Sequence, residues 1–263
     1  MSRATYVYCA VASSIRPAPS GLRGLPRTGE VRLLDVDRGL WLVVADAPLA
    51  TYGEAHLAAR LGDLRWVSRA AVAHDRVVEA FRGADAVLPM KLLTLFASDE
   101  RALQYAAEMR ETLDRLVTRV KRHDEWGLRL TLGSPHRPTA RGPRAAASTA
   151  STVARAQSGA QYLARKKAAR DEGAERTARG RTLAEELCAS LARHASAVRR
   201  RGDDGIGADG RGRSLLLDAA MLVPRAQAAR FSAAAARRAR ALAPDGFDLV
   251  LTGPWPPYSF MKD

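Results

Sequence analysis

The stretch FDLVLTGPWPPYSF, residues 247–260, lies three residues before the last of the 263. Its opening FDLVL is a short apolar run and reads as a strand. The remainder, TGPWPPYSF, holds three prolines and three aromatics in nine positions. That composition cannot form a helix and makes a poor central strand, because proline fixes φ and donates no hydrogen bond. Gly253 lets the chain turn out of the strand, and Pro254, Pro256 and Pro257 should stop strand pairing. The segment is then pre-stiffened along an extended, polyproline-like path. Trp255, Tyr258 and Phe260 can dock with little entropy lost. Two readings stand side by side: a clasp over the protein's own core, or an anchor for a partner.

Working back from this tail, strands and helices interleave. Residues 5–11, TYVYCAV, read as a strand, and Pro17, Pro19, Gly21, Gly24 and Pro26 mark a loop. Residues 31–36 and 40–45 flank Asp37-Arg38-Gly39 as a hairpin. Helical spacing from Trp66 to Phe81 predicts an amphipathic helix, and 85–97 reads as a strand broken by Pro89. Ser98-Asp99-Glu100 should open one long helix reaching about Arg122, followed by a strand over 125–132. Residues 133–151 have linker composition. A helical region over 158–201 carries Leu183, Leu187, Leu191 and Val198 as its stripe. Its length predicts either a break near Gly173 or Gly180, or a projecting helix. A strand over 215–223, a helix over 226–242 and the strand 247–251 complete the order. The expected fold class is α+β, in two units that are each a small, mainly antiparallel sheet with helices on one face. The division places a first unit at 1–132, the linker at 133–151 and a second unit at 152–263. The strand at 125–132 could equally join the second sheet.

Charge and motifs narrow the function classes. The net charge is +14. Residues 133–201 hold fifteen Lys/Arg against five Asp/Glu, a net +10 that would attract any polyanion. Stacking on nucleic-acid bases needs aromatics among those cations, and Tyr162 is the single one in that span. Cys9 and Cys188 share no ligand spacing and read as small buried side chains. Gly205, Gly207 and Gly210 match GxGxxG, yet the flanking helix and strand stand in the wrong order, so a plain loop is expected. His56, His74, His123, His136 and His194 show no metal spacing, and His74 reads as a packed side chain on a helix. No catalytic constellation, cofactor motif or metal motif stands out, and no run of about 18 apolar residues suggests a membrane span. The N-terminal stretch is a poor signal peptide, so a cytoplasmic protein is expected.

The tail FDLVLTGPWPPYSF resembles the C-terminal signature of the gas vesicle protein family GvpF/GvpL. YVYCAV at residues 6–11 is similar to that family's opening strand. HDRVVEAF at 74–81, with AVLPMKLLTLF at 86–96, resembles its central helix–strand block. EWGLRL at 125–130 and SGAQYLARKK at 158–167 are similar to its mid-chain motifs. One departure stands out: where the family block has a Phe-Gly pair, this chain has Leu92-Leu93. The resemblance implies a non-enzymatic accessory or minor structural protein of gas vesicles, needed for assembly, with a modified ferredoxin-like first unit. It implies as partners the small, apolar major shell protein and other accessory proteins, with no small-molecule substrate and no membrane. Partner-binding candidates are Arg165, Lys166, Lys167 and Arg170, facing an acidic surface, with Trp255, Tyr258 and Phe260 from the tail. The alternative reading is a basic, nucleic-acid-binding cytoplasmic protein.

Overall fold

The computed structural model describes residues 2–19, 21–37, 39–133, 159–201, 207–208 and 213–262. The linker expected at 133–151 falls, beyond Gly133, outside the described residues, as does most of the GxGxxG loop.

The first unit begins with β1 (Arg3–Ala12), β2 (Arg32–Asp37) and β3 (Leu40–Pro48), followed by α1 (Leu49–Tyr52), α2 (Glu54–Arg60) and α3 (Leu64–Ala80). It continues with β4 (Ala86–Pro89), β5 (Leu95–Phe96), α4 (Asp99–Glu108) and α5 (Arg110–Val120). The sheet is antiparallel, in the order β2-β3-β1-β4. β5 also lies on β1, so the expected strand over 85–97 is two short pieces sharing one edge. Between them the chain loops out and returns, with Val7 N–H donating to Thr94 O at 3.0 Å. β3 alternates regularly, sending Val43, Ala45 and Ala47 to one face and Leu42 and Val44 to the other. β1 does not. Its register slips between Val7 and Cys9. Tyr6, Tyr8, Cys9 and Val11 therefore share the α3 face, while Val7 and Ala10 take the opposite one.

Local chemistry sets the helix starts. Asp63 caps α3 by accepting from the Arg65 and Trp66 amides at 2.9 and 3.2 Å. Ser98 caps α4, with Asp99 and Glu100 in the first turn. The single helix expected over 98–122 is instead two, broken at Met109. Small Ala102 and Ala106 are buried before the break, and the larger Leu113 and Val120 after it.

The second unit comprises β6 (His123–Leu132), α6 (Gly159–Ala192), β7 (Ala197–Arg200), β8 (Gly207–Ala208), β9 (Ser214–Pro224), α7 (Ala228–Leu242) and β10 (Phe247–Trp255). Its sheet order is β10-β6-β9-β7, with β8 also on β9. β6 therefore pairs in the second sheet. α6 runs unbroken through Gly173 and Gly180, so of the two expected alternatives, a break or a projecting helix, the break does not occur. Gly180 serves packing: a Cβ there would sit 2.7 Å from Leu216 Cδ1 and 3.0 Å from Phe247 Cε1. α6 ends at Ala192, so Val198 belongs to β7 and not to the helical stripe. β10 also outruns expectation. A register slip between Thr252 and Trp255 absorbs the Gly-Pro step, and Trp255 still pairs with Glu125.

Three apolar clusters organise the molecule. One lies between the first sheet and α3, and another between the second sheet and α6 with α7. The third joins the units: Val7, Leu42, Leu88 and Leu113 of the first meet Ala220 and Leu222 of β9, and Phe260 of the tail.

Candidate functional site

The tail closes over the seam between the units. Gly253 has φ +113°, and a Cβ there would lie 2.8 Å from Glu125 O, so only glycine fits this close approach. The Gly253–Pro254 peptide is cis. From there the chain crosses to the first unit, where Arg82 donates to Pro254 O at 3.1 Å and the Tyr258 hydroxyl donates to Asp75 Oδ1 at 2.9 Å. Burial and the adjacent Asp75 carboxylate push the Tyr258 phenol well above its ordinary range. Phe260 is 3% exposed, inside the shared cluster. Arg119 Nη1 reaches the carbonyls of Phe260 at 3.5 Å and Lys262 at 3.3 Å, and Arg199 donates to Lys262 O at 2.7 Å.

Glu125 is the polar centre of this seam. It is 3% exposed on β6. Its Oε2 accepts from the Ser259 amide at 2.7 Å and its Oε1 from the Ser259 hydroxyl at 2.8 Å. Arg201 completes the set by an ion pair to Oε1. A buried carboxylate is tolerated because each oxygen is hydrogen-bonded and a cation stands beside it. A second link runs through Arg225, which donates to Asp124 at 3.2 Å and to Ala84 O at 2.8 Å. Sequence reasoning singled out neither Glu125 nor Arg201. Their one signal is an acid inside a predicted strand, immediately before Trp126.

The seven candidate residues fall in two places. Trp255 and Tyr258 are 44% and 39% exposed at the tail, beside buried Phe260. Arg165, Lys166, Lys167 and Arg170 lie on the N-terminal half of α6, all exposed. The buried residues of α6 begin only at Gly180 and continue with Ala184, Leu187, Cys188 and Leu191. The segment from Gly159 to Glu175, roughly 25 Å of helix, thus presents only exposed side chains where these are described. The expected projecting helix is present.

His74 sits elsewhere, packed under β1. Its Nδ1 is 2.8 Å from the Tyr6 hydroxyl, which itself accepts from the Leu93 amide at 3.1 Å. Burial lowers its pKa to about 4. Among the described residues no group of three or more His, Cys, Asp or Glu could hold a metal, and no helix is long and apolar enough to cross a membrane.

The family model described as gas vesicle synthesis protein GvpL/GvpF matches residues 4–262. A gas vesicle protein L from Streptomyces sp. (strain CB03234) is 30% identical over 98% of this chain and 92% of its own length. The chain belongs to the GvpL/GvpF family. Two crystal structures show the same fold. GvpF from Anabaena sp. PCC7120 superposes with a TM-score of 0.68 at 15% identity, covering 100% of this chain and 97% of that one. GvpF from Microcystis aeruginosa gives 0.64 at 15% identity, covering 99% of both chains. Family membership gives the chain a role in gas vesicles. At Leu93, where the resemblance implies the glycine of a Phe-Gly pair, φ is +66°, the left-handed conformation that favours glycine.

Proposed function

We propose that this GvpL/GvpF protein acts in the cytoplasm in gas vesicle assembly, capturing the major shell protein and other accessory proteins. One observation carries the reading. The N-terminal half of α6 stands off the body with Arg165, Lys166, Lys167 and Arg170 exposed. A helical segment whose described side chains are all exposed has a face free for contacts with a partner. Its clustered cations fit an acidic face on a partner, steering encounter and fixing register. The tail serves this arrangement by holding the two units together, so that α6 projects from a single rigid base.

The test is co-expression with the major shell protein, followed by capture. The intact chain retains the shell protein, and the combined change Arg165→Glu, Lys166→Glu, Lys167→Glu abolishes retention. The melting temperature stays within a degree or two, because exposed substitutions cost little. Undiminished capture by the triple variant at low salt removes the charged helix from the mechanism. Tight binding of random duplex DNA with a steep salt slope moves the reading to nucleic acid instead.

A further inference from the structure

Among the described residues, the outer edge of β10 is open. β10 pairs with β6 on one side, and no described strand pairs with the other. Gly133 N–H donates to Gly246 O at 2.8 Å in the register that β10 and β6 share. Backbone groups alternate along a strand, so Asp248, Val250 and Thr252 bond inward to β6. Phe247, Leu249 and Leu251 turn their N–H and C=O outward. Native edges of this length are ordinarily blunted by lysine, proline or a covering element. Here prolines enter only at Pro254, and Val250 is 39% exposed at the centre of the edge.

The edge is complementary to itself. We propose that two copies of this chain pair antiparallel through β10, about a twofold axis at Val250, giving one continuous eight-stranded path through two copies of the β10-β6-β9-β7 order. Leu249 then lies opposite Leu251 of the second copy on the helix-covered face, extending the core beneath α7. Val250 meets Val250, and Asp248 meets the Thr252 hydroxyl on the other face. Opposed pairs are Leu249–Leu251 and Leu251–Leu249, both outward-bonding residues, so the ladder forms without a slip. Moving the axis to Leu249 would set Asp248 against Val250, and moving it to Asp248 would set two carboxylates together.

The helix above agrees independently. α7 packs against α6 through the side that carries Ala234 and Arg238, whose guanidinium donates to Ser190 at 3.0 Å. At 100° per residue the other flank, across the buried side and toward the β10 edge, carries Ser232, Ala236 and Ala239. Arg230, Arg237 and Arg238 turn away from that flank, and Arg240 lies at its solvent rim. Small, uncharged residues are what two helices need when the strands beneath them are about 5 Å apart. An isologous pair of this kind is the commonest closed assembly.

Light scattering against protein concentration tests it. The wild-type chain should reach twice the 28.4 kDa of one chain. Val250→Lys places two ammonium groups face to face on the axis, and Val250→Asp two carboxylates; each should weigh as one chain. Mixing the two variants should restore the doubled mass, a rescue that misfolding could not produce. A wild-type mass of one chain at every concentration overturns the proposal. So does a doubled mass for Val250→Lys, or a failure of the mixture to pair.

Discussion

Among the described residues the two sheets have the same number of strands, and their surroundings are opposite. The first is covered on both faces, by α3 on one side and by α4, α5, β9 and the tail on the other. Its β1 and β3 accordingly read as near-continuous apolar runs, YVYCAV and LWLVVA. The second is covered on one face by α6 and α7; on the other, among the described residues, Ala197, Ala220 and Leu222 meet the first unit and Ser259 of the tail closes over Glu125. Toward β10 that face carries Arg129, Asp218 and Val250, and its strands alternate, as in EWGLRLTL. The difference teaches that the second sheet is the one with surface to spare. The seam between the sheets keeps that surface from opening further.

Phe260 is the strongest place to break the comparison. It is the buried aromatic side chain of the tail, inside the cluster the two sheets share. Phe260→Ala should cost about 3–4 kcal/mol, which for a chain of this size lowers Tm by roughly 8–12 °C. The loss should also uncouple the units, splitting one thermal transition into two. Calorimetry reads both effects. A shift under about 2 °C would mean that the seam is held by Glu125 and the arginines alone.

The buried face of the first sheet supplies the next largest effect. His74 is 3% exposed, and its pKa is lowered to about 4, chiefly by burial. In the unfolded chain it takes a proton near pH 6.5. Between these values the unfolded state binds more protons, so stability falls as pH drops from about 6.5 to about 4. The loss is about 2–3 kcal/mol. Arg32 holds the carboxyls of Asp46 and Asp99 below their ordinary range, and their contribution is lost in a lower window. His74→Gln keeps an acceptor for the Tyr6 hydroxyl and removes the titration. Urea melts across this range should therefore flatten above pH 4 in the variant and remain steep below it. An unchanged slope above pH 4 would place the proton elsewhere.

How much of this is legible in the sequence depends on how local each cause is. The cap at Ser98, the hairpin at 37–39 and the apolar strands follow from neighbours along the chain. The tail's signature carries the family. What escapes arises from contacts across the chain. Gly180 reads as a weak point of α6, because Leu216 and Phe247, which crowd it, are far away in sequence. Val198 continues the leucine stripe by number, yet its strand pairs with β9. The proline-rich tail keeps a strand partner at Trp255 because a register slip hides the proline from the ladder. Glu125 and Ser259 are 134 positions apart, and no spacing rule links them.

The smallest effect comes from the position where the chain departs from its family. Leu93 holds φ +66°, which costs a residue with a side chain about 1–2 kcal/mol. It also lies half-buried against the first core, and a leucine so placed contributes about 1 kcal/mol of burial. Leu93→Gly removes strain and contact together, so the two contributions should nearly cancel, leaving Tm within about 2 °C of wild type. The hydrogen bond from the residue 93 amide to the Tyr6 hydroxyl, and with it the His74 site, should persist, because glycine keeps the donor. A drop of several degrees would show that this chain has traded backbone ease for packing at the turn. A rise would show that strain outweighs packing there, and that the doubly covered sheet tolerates a defect at its rim that its centre could not.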